Sequence, residues 1–255
     1  MKYVINKQKL YSIALLSAAM ILILVSIACT APYAYITNSG SNNVSVIDTA
    51  TNKVVTKVSV GINPYGVAVT PDGTKVYVTN EGNDNVSVID TINNTVTATV
   101  NGLNYPYGIA VNPTGTKVYV ANYVSGTVSI IETATNTVTA TVNGLNYPYG
   151  IAVTADGTKV YVANKGNNTV SIIDTTTNTI SATVDVGSNP FGIAATPGVT
   201  NVYVTNSNAG VVTVINTTSN AVTATVSGLY GPSGVALTPD GSTVYVANQT
   251  AILSL

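Results

Sequence analysis

The eight residues GTKVYVAN stand at 115–122 and again at 157–164, and the eighteen residues at 94–111, NTVTATVNGLNYPYGIAV, return unchanged at 136–153. Behind these copies lies one strict period. Tyr35, Tyr77, Tyr119, Tyr161, Tyr203 and Tyr245 are each 42 residues apart, with no insertion or deletion. Gly66, Gly108, Gly150, Gly192 and Gly234 keep the same step, as do Pro64, Pro106, Pro148, Pro190 and Pro232. A fixed period near 40 residues requires stacked supersecondary units, none of which can bury its apolar surface alone.

One unit reads from 64 to 105. A short apolar strand (Val67 to Val69) runs into Pro71-Asp72-Gly73, a strong hairpin turn. KVYVT (75–79), the polar loop NEGNDN (80–85), a third strand at 86–89, a turn at 90–95 and a fourth strand at 96–100 follow. Nothing in the unit has helical spacing. Four antiparallel strands per 42 residues predict an all-β fold, a β-propeller of four-stranded blades. In KVYVT, Val76 and Val78 point to one face and Tyr77 to the other, so both faces must be covered, as they are when blades stack around an axis. The fourth strand alternates Thr with Val or Ala and belongs at the wet outer rim. The first unit starts at its second strand (34–38) and the last ends in its third, near Ala251–Leu255, giving 22 strands. We therefore expect six blades with incomplete terminal ones; five blades or an open arc are the alternatives.

The strands VYVTN (76–80, 202–206) and VYVAN (118–122, 160–164, 244–248) resemble the YVTN β-propeller repeat. That resemblance covers 33–255. It implies a surface-layer or other cell-surface protein of the kind found notably in archaea. The rival WD40 repeat is not matched, since the chain has neither Trp nor His.

Residues 1–31 read differently. Lys2, Lys7 and Lys9 precede an apolar run from Leu10 to Ile27, the pattern of a secretory signal, with an uncleaved N-terminal anchor as the alternative. Cys29, the only cysteine, ends Ser26-Ile27-Ala28-Cys29, which resembles a lipoprotein cleavage box with Ser where Leu is usual. Cys29 is thus a candidate lipidation site. The propeller then spans 32–255. It carries six lysines against ten acids and no arginine, for a net charge near −4. A thinly charged, acidic, Arg-free surface is unsuited to nucleic acid, and contact with membrane is expected only through the N-terminus.

The absence of histidine removes the commonest general base and metal ligand. Asp72, Asp156 and Asp240 recur in the first turn, and Asp48, Asp90, Glu132 and Asp174 at the end of the third strand, where they are expected to bond turn backbone. Only Glu81, Asp84 and Asp185 stand outside the repeat. No catalytic constellation, metal site or cofactor is expected. The candidate binding rim is the loop-bearing end. There Tyr65, Tyr107, Tyr149 and Phe191 share one repeat position, and Asn80, Asn122, Asn164, Asn206 and Asn248 another, with Tyr105, Tyr123, Tyr147 and Tyr230 in the same loops. Packing and turn capping are the structural alternatives for both sets. Candidate N-glycosylation sequons begin at Asn43, Asn85, Asn93, Asn167, Asn216 and Asn248. The leading expectation is a non-enzymatic cell-surface or envelope propeller with a structural, adhesive or binding role. Its partners would be envelope proteins, glycans or copies of itself in a lattice. A channel-sited lactonase-like hydrolase and a soluble exported ligand-binding module are the alternatives.

Overall fold

The computed structural model describes residues 33–248 except 199. Residues 1–31 with Cys29, and the strand expected near 251–255, lie outside the described residues. Blade 1 holds β1 (Tyr33–Asn38), β2 (Asn43–Asp48) and β3 (Lys53–Ser59). Blade 2 holds β4 (Pro64–Val69), β5 (Lys75–Asn80), β6 (Asn85–Asp90) and β7 (Thr95–Val100). Blade 3 holds β8 (Pro106–Val111), β9 (Lys117–Asn122), β10 (Thr127–Glu132) and β11 (Thr137–Val142). Blade 4 holds β12 (Pro148–Val153), β13 (Lys159–Asn164), β14 (Thr169–Asp174) and β15 (Thr179–Asp185). Blade 5 holds β16 (Pro190–Ala195), β17 (Asn201–Asn206), β18 (Val211–Asn216) and β19 (Val222–Val226), and blade 6 holds β20 (Pro232–Leu237) and β21 (Val244–Asn248). The fold is therefore a β-propeller of six antiparallel sheets; among the described residues the four middle blades have four strands each, the first three and the sixth two.

The repeat tyrosine is the filler between blades. Register pairs Tyr77 with Val88, so both share a face with Val86. That face packs on Val118, Val120 and Ile131 of the next blade. Tyr35 meets Val76 and Val78, Tyr119 meets Val160 and Val162, and Tyr161 meets Val202 and Val204 in the same way. Tyr77 and Tyr161 are wholly buried, whereas Tyr245, on β21, is 64 % exposed. The outer strands alternate with water as expected; β19 is exposed along its whole length.

The innermost strands β4, β8, β12, β16 and β20 lie side by side around the axis. Each carries a bulge directly after its proline: Pro64 pairs with Asn80 but Val67 with Val78, so one extra residue is accommodated between them. The bulge re-aims the intervening residue, Tyr65 in blade 2, away from the strand's regular alternation. The same irregularity recurs in β8, β12, β16 and β20. It brings the aromatic position of each blade to one end of the axis.

Candidate functional site

The two ends of the propeller carry different chemistry. At the turn end, acids serve the backbone. Asp72 accepts from the Thr70 hydroxyl (2.6 Å) and from the amide and hydroxyl of Thr74 (3.0 and 2.9 Å), and Asp156 repeats this with Thr154 and Thr158. Burial would raise the Asp72 carboxyl, but these bonds outweigh it and hold the group below its usual value. Asp240, bonded by Thr238 and Ser242, is lowered to about 2. Asp48, Asp90 and Asp174 each accept two main-chain amides. Asn216 takes the place of that acid in blade 5 and makes the same pair of bonds.

The loop end is where the repeat breaks. Glu81, Asp84, Asp185 and Lys165 are its charged residues outside the pattern, and Lys165 is the one lysine in its loops among the described residues. The expected rim divides in two here. The asparagines point inward: Asn80, Asn122, Asn164 and Asn206 are 0–2 % exposed. The Asn80 amide donates to Asn85 Oδ1 and Ser87 Oγ at 2.8 Å, and Asn122 and Asn164 donate likewise to Thr127 with Ser129 and to Thr169 with Ser171. Asn206 donates to Thr213 at 2.9 Å. They lock the second strand to the third and are not part of a rim. Asn248, at the end of β21, is exposed.

The aromatics do converge. Tyr107 stacks on Tyr149 (centroids 4.6 Å apart, planes 27°), Tyr65 meets Tyr107 edge-on at 4.9 Å, and Tyr149 lies 4.3 Å from Phe191. Across the axis, the Tyr149 hydroxyl donates to the Tyr65 hydroxyl at 2.5 Å. Four blades thus meet over one end of the channel. Beyond them, toward the other end, a cavity of about 460 Å³ is lined by Gly66, Gly108, Gly150, Gly192 and Gly234, by Val and Ile of the inner strands and by Tyr245, with no carboxylate in its wall.

A second set of residues flanks the cluster: Glu81 and Tyr123 stand out singly in the sequence, but Lys165 and the repeat position that all three share do not. The position after the buried asparagine reads Ser39, Glu81, Tyr123, Lys165, Ser207 and Gln249 around the repeat. The charge of Glu81 acts on the Tyr107 hydroxyl and adds to its rise on burial. Tyr123 meets Tyr107 edge-on at 5.3 Å. Lys165 places its ammonium 5.0 Å from the centre of the Tyr149 ring and 5.5 Å from that of Phe191. A position that changes chemistry in every neighbouring blade of an otherwise constant frame was the signal available in sequence.

Burial raises the phenols of Tyr107 and Tyr149. The charge of Glu81 adds to both, and the bond to Tyr65 adds further to Tyr149. Burial also raises Tyr65. All three stay protonated at neutral pH, so they act as hydrogen-bonding rings rather than as tyrosinate bases. Among the described residues no three of His, Cys, Asp and Glu gather around one point.

The outer part of the same end carries strain. Tyr105 and Tyr147 sit in the left-handed region (φ 50° and 48°) directly before Pro106 and Pro148. The other blades put Asn63, Asn189 and Gly231 there, residue types that adopt this conformation at little cost. Both tyrosines are nearly half exposed, at 44 % and 49 %; the Tyr147 ring lies 4.9 Å from Tyr123 and against Gly166. Ile62, Val124 and Tyr230 add exposed apolar surface in the same loops.

Of the sequons, Asn93, Asn167 and Asn248 are exposed. Asn43 and Asn85 are half-buried acceptors for Asn38 and Asn80, and Asn216 caps its turn.

A family model described as the choice-of-anchor I domain matches residues 5–200, and the chain belongs to that family. A second model, the YNCE-like β-propeller, matches 151–253. No curated protein matches the chain. Among solved structures it is similar to a protein of unknown function from Desulfotomaculum acetoxidans DSM 771 (TM-score 0.76, 19 % identity, 85 % of this chain and 73 % of that one). It is also similar to hydrazine synthase of Kuenenia stuttgartiensis (TM-score 0.63, 20 % identity, 85 % and 89 %). At such identities the likeness is one of fold.

Proposed function

We propose that this member of the choice-of-anchor I domain family is a non-enzymatic propeller displayed at the cell surface, and that its tyrosine-lined mouth binds an envelope glycan or protein. The observation that carries the reading is the backbone of Tyr105 and Tyr147. Holding a bulky side chain at positive φ costs on the order of 1–3 kcal/mol. These rings are only half buried, and the neighbouring blades avoid the cost with Asn or Gly. Strain kept at an exposed aromatic beside a ring cluster is what a binding rim on a rigid scaffold requires. The family's description, with its reference to an anchor, and the YVTN-like tyrosine strands support display at a surface. The expected attachment is through the N-terminus: Cys29→Ser should move the protein from the membrane fraction to the medium.

The test is a titration of native protein and of the Tyr105→Asn/Tyr147→Asn double variant against envelope polysaccharides and envelope protein extracts, read by tyrosine fluorescence and sedimentation. Native protein should bind and the double variant should not, with its fold intact. Equal binding by the two would remove the rim from the reading. Turnover of lactones, with a metal retained through purification, would instead favour the hydrolase.

A further inference from the structure

We infer that the mouth receives a lysine or arginine side chain from a partner polypeptide, held between the phenol rings and the Glu81 carboxylate. The inference rests on the mouth being a binding site and specifies what enters it.

Three observations converge on a cation flanked by apolar groups. First, ring faces attract cations, most strongly where water is excluded. The chain demonstrates this itself, because the Lys165 ammonium already lies over Tyr149 and Phe191. Lys165 lies over Tyr149 and Phe191 in blades 4 and 5, and the rings of Tyr65 and Tyr107 continue the cluster into blades 2 and 3.

Second, negative charge acts on the rings of blades 2 to 4. The charge of Glu81, directly after the strand that carries Tyr77, acts on the phenol of Tyr107 and reaches Tyr65 and Tyr149 as well. The loops of this end bring three acids outside the repeat, Glu81, Asp84 and Asp185, against the single Lys165. The cluster therefore complements a positive group, and an anionic ligand would have to overcome the surplus.

Third, the collar is apolar. Ile62, Tyr105, Val124, Tyr147 and Tyr230 are each between 44 % and 71 % exposed around the same mouth. A free amine or a small quaternary ammonium would leave this surface in water. A peptide that carries apolar residues on either side of its cation would cover it. Lys165 is then the internal competitor: a tethered cation that shares the cage and weakens entry of an external one.

The experiment uses native full-length protein and three capped pentapeptides, each with a central residue flanked by leucines: lysine, norleucine or glutamate. Phosphocholine and a neutral N-acetylglucosamine tetrasaccharide complete the set, with calorimetry as the readout. The lysine peptide should bind roughly tenfold more tightly than the norleucine peptide, the ratio expected for one partly desolvated cation–π contact. Glu81→Gln should abolish most of that preference, and Lys165→Gln should tighten lysine-peptide binding severalfold. Neither side chain is buried, and both variants should stay folded, with the β-sheet dichroism of native protein. Equal affinity for lysine and norleucine peptides, or weaker lysine-peptide binding in Lys165→Gln, overturns the inference. So does binding of phosphocholine or the saccharide with no peptide bound, which would leave the mouth as a binding site for another class. Failure of every probe together with failure of the envelope titration would remove the site itself.

Discussion

Gly150 of blade 4 lies directly against the main-chain carbonyl oxygen of Phe191 in blade 5, so close that a Cβ on Gly150 could not fit. Gly66 and Gly108 meet the carbonyls of Tyr107 and Tyr149 in the same way. Gly234 is the exception, its nearest neighbour being the Ala247 side chain at 3.7 Å. Gly150→Ala should therefore destabilise the fold by about 3 kcal/mol or more, because the obstacle is backbone of the next blade and cannot rotate away. Gly234→Ala should change stability by no more than about 0.5 kcal/mol. Denaturant midpoints of the two variants measure the contrast, and similar losses would mean that the sixth blade is as tightly seated as the others.

The repeat tyrosine makes the same comparison with a side chain. Tyr161 is wholly buried between blades 4 and 5, whereas Tyr245 is 64 % exposed. Tyr161→Ala should cost about 3–5 kcal/mol, as truncation of a buried aromatic does. Tyr245→Ala should cost about 1 kcal/mol or less. Chemical unfolding of both variants would show equal costs if another segment covered Tyr245 in solution.

At Tyr147 the opposite sign is expected. Replacing it by Asn, the residue that blades 2 and 5 use at this position, relieves a left-handed tyrosine at the loss of a half-exposed ring. Tyr147→Asn should stabilise the fold by about 1 kcal/mol while weakening ligand binding. A lowered melting temperature would show that the ring packs more than it is strained.

The pH response follows from the buried phenols. Burial pushes Tyr35, Tyr77 and Tyr161 up to about 12, while tyrosines of an unfolded chain ionise near pH 10. Below pH 10 both states keep these protons and the three contribute no pH dependence. Between about pH 10 and 12 only the unfolded chain releases them, so stability falls as pH rises. Tyrosinate absorbance and the β-sheet dichroism should change together in that window. Titration of every tyrosine near pH 10 with the sheet signal intact would contradict the assignment.

Glycan occupancy should separate the sequons by their place in the fold. In a host that glycosylates exported chains, Asn93 and Asn167 should be modified, since both are exposed in loops. Asn43 and Asn85 should remain bare, each being tied to the second strand by the amide of Asn38 or Asn80. Peptide mapping by mass spectrometry checks this, and a glycan at Asn85 would mean modification before that ladder forms.

The strands, their order in each blade and the job of the turn acids were legible in the sequence because they depend on local physics. Period-2 alternation sets which face Tyr77 takes, and an Asp beside Gly or Thr in a two-strand turn finds amides within a few residues, as Asp72 and Asp174 do. The fixed 42-residue step then made the blade interface the same each time. What the tertiary structure alone decided was direction and convergence at the loop end. Asn80 and Tyr65 looked alike as repeated polar or aromatic residues near the mouth, yet Asn80 turns inward to Ser87 while the bulge after Pro64 swings Tyr65 over the axis. The bond from Tyr149 to Tyr65 joins residues 84 apart, and Lys165 of blade 4 comes to lie over the Phe191 ring of blade 5. Those meetings are set by closure of blades around an axis, a long-range geometry that no local pattern of residues encodes on its own.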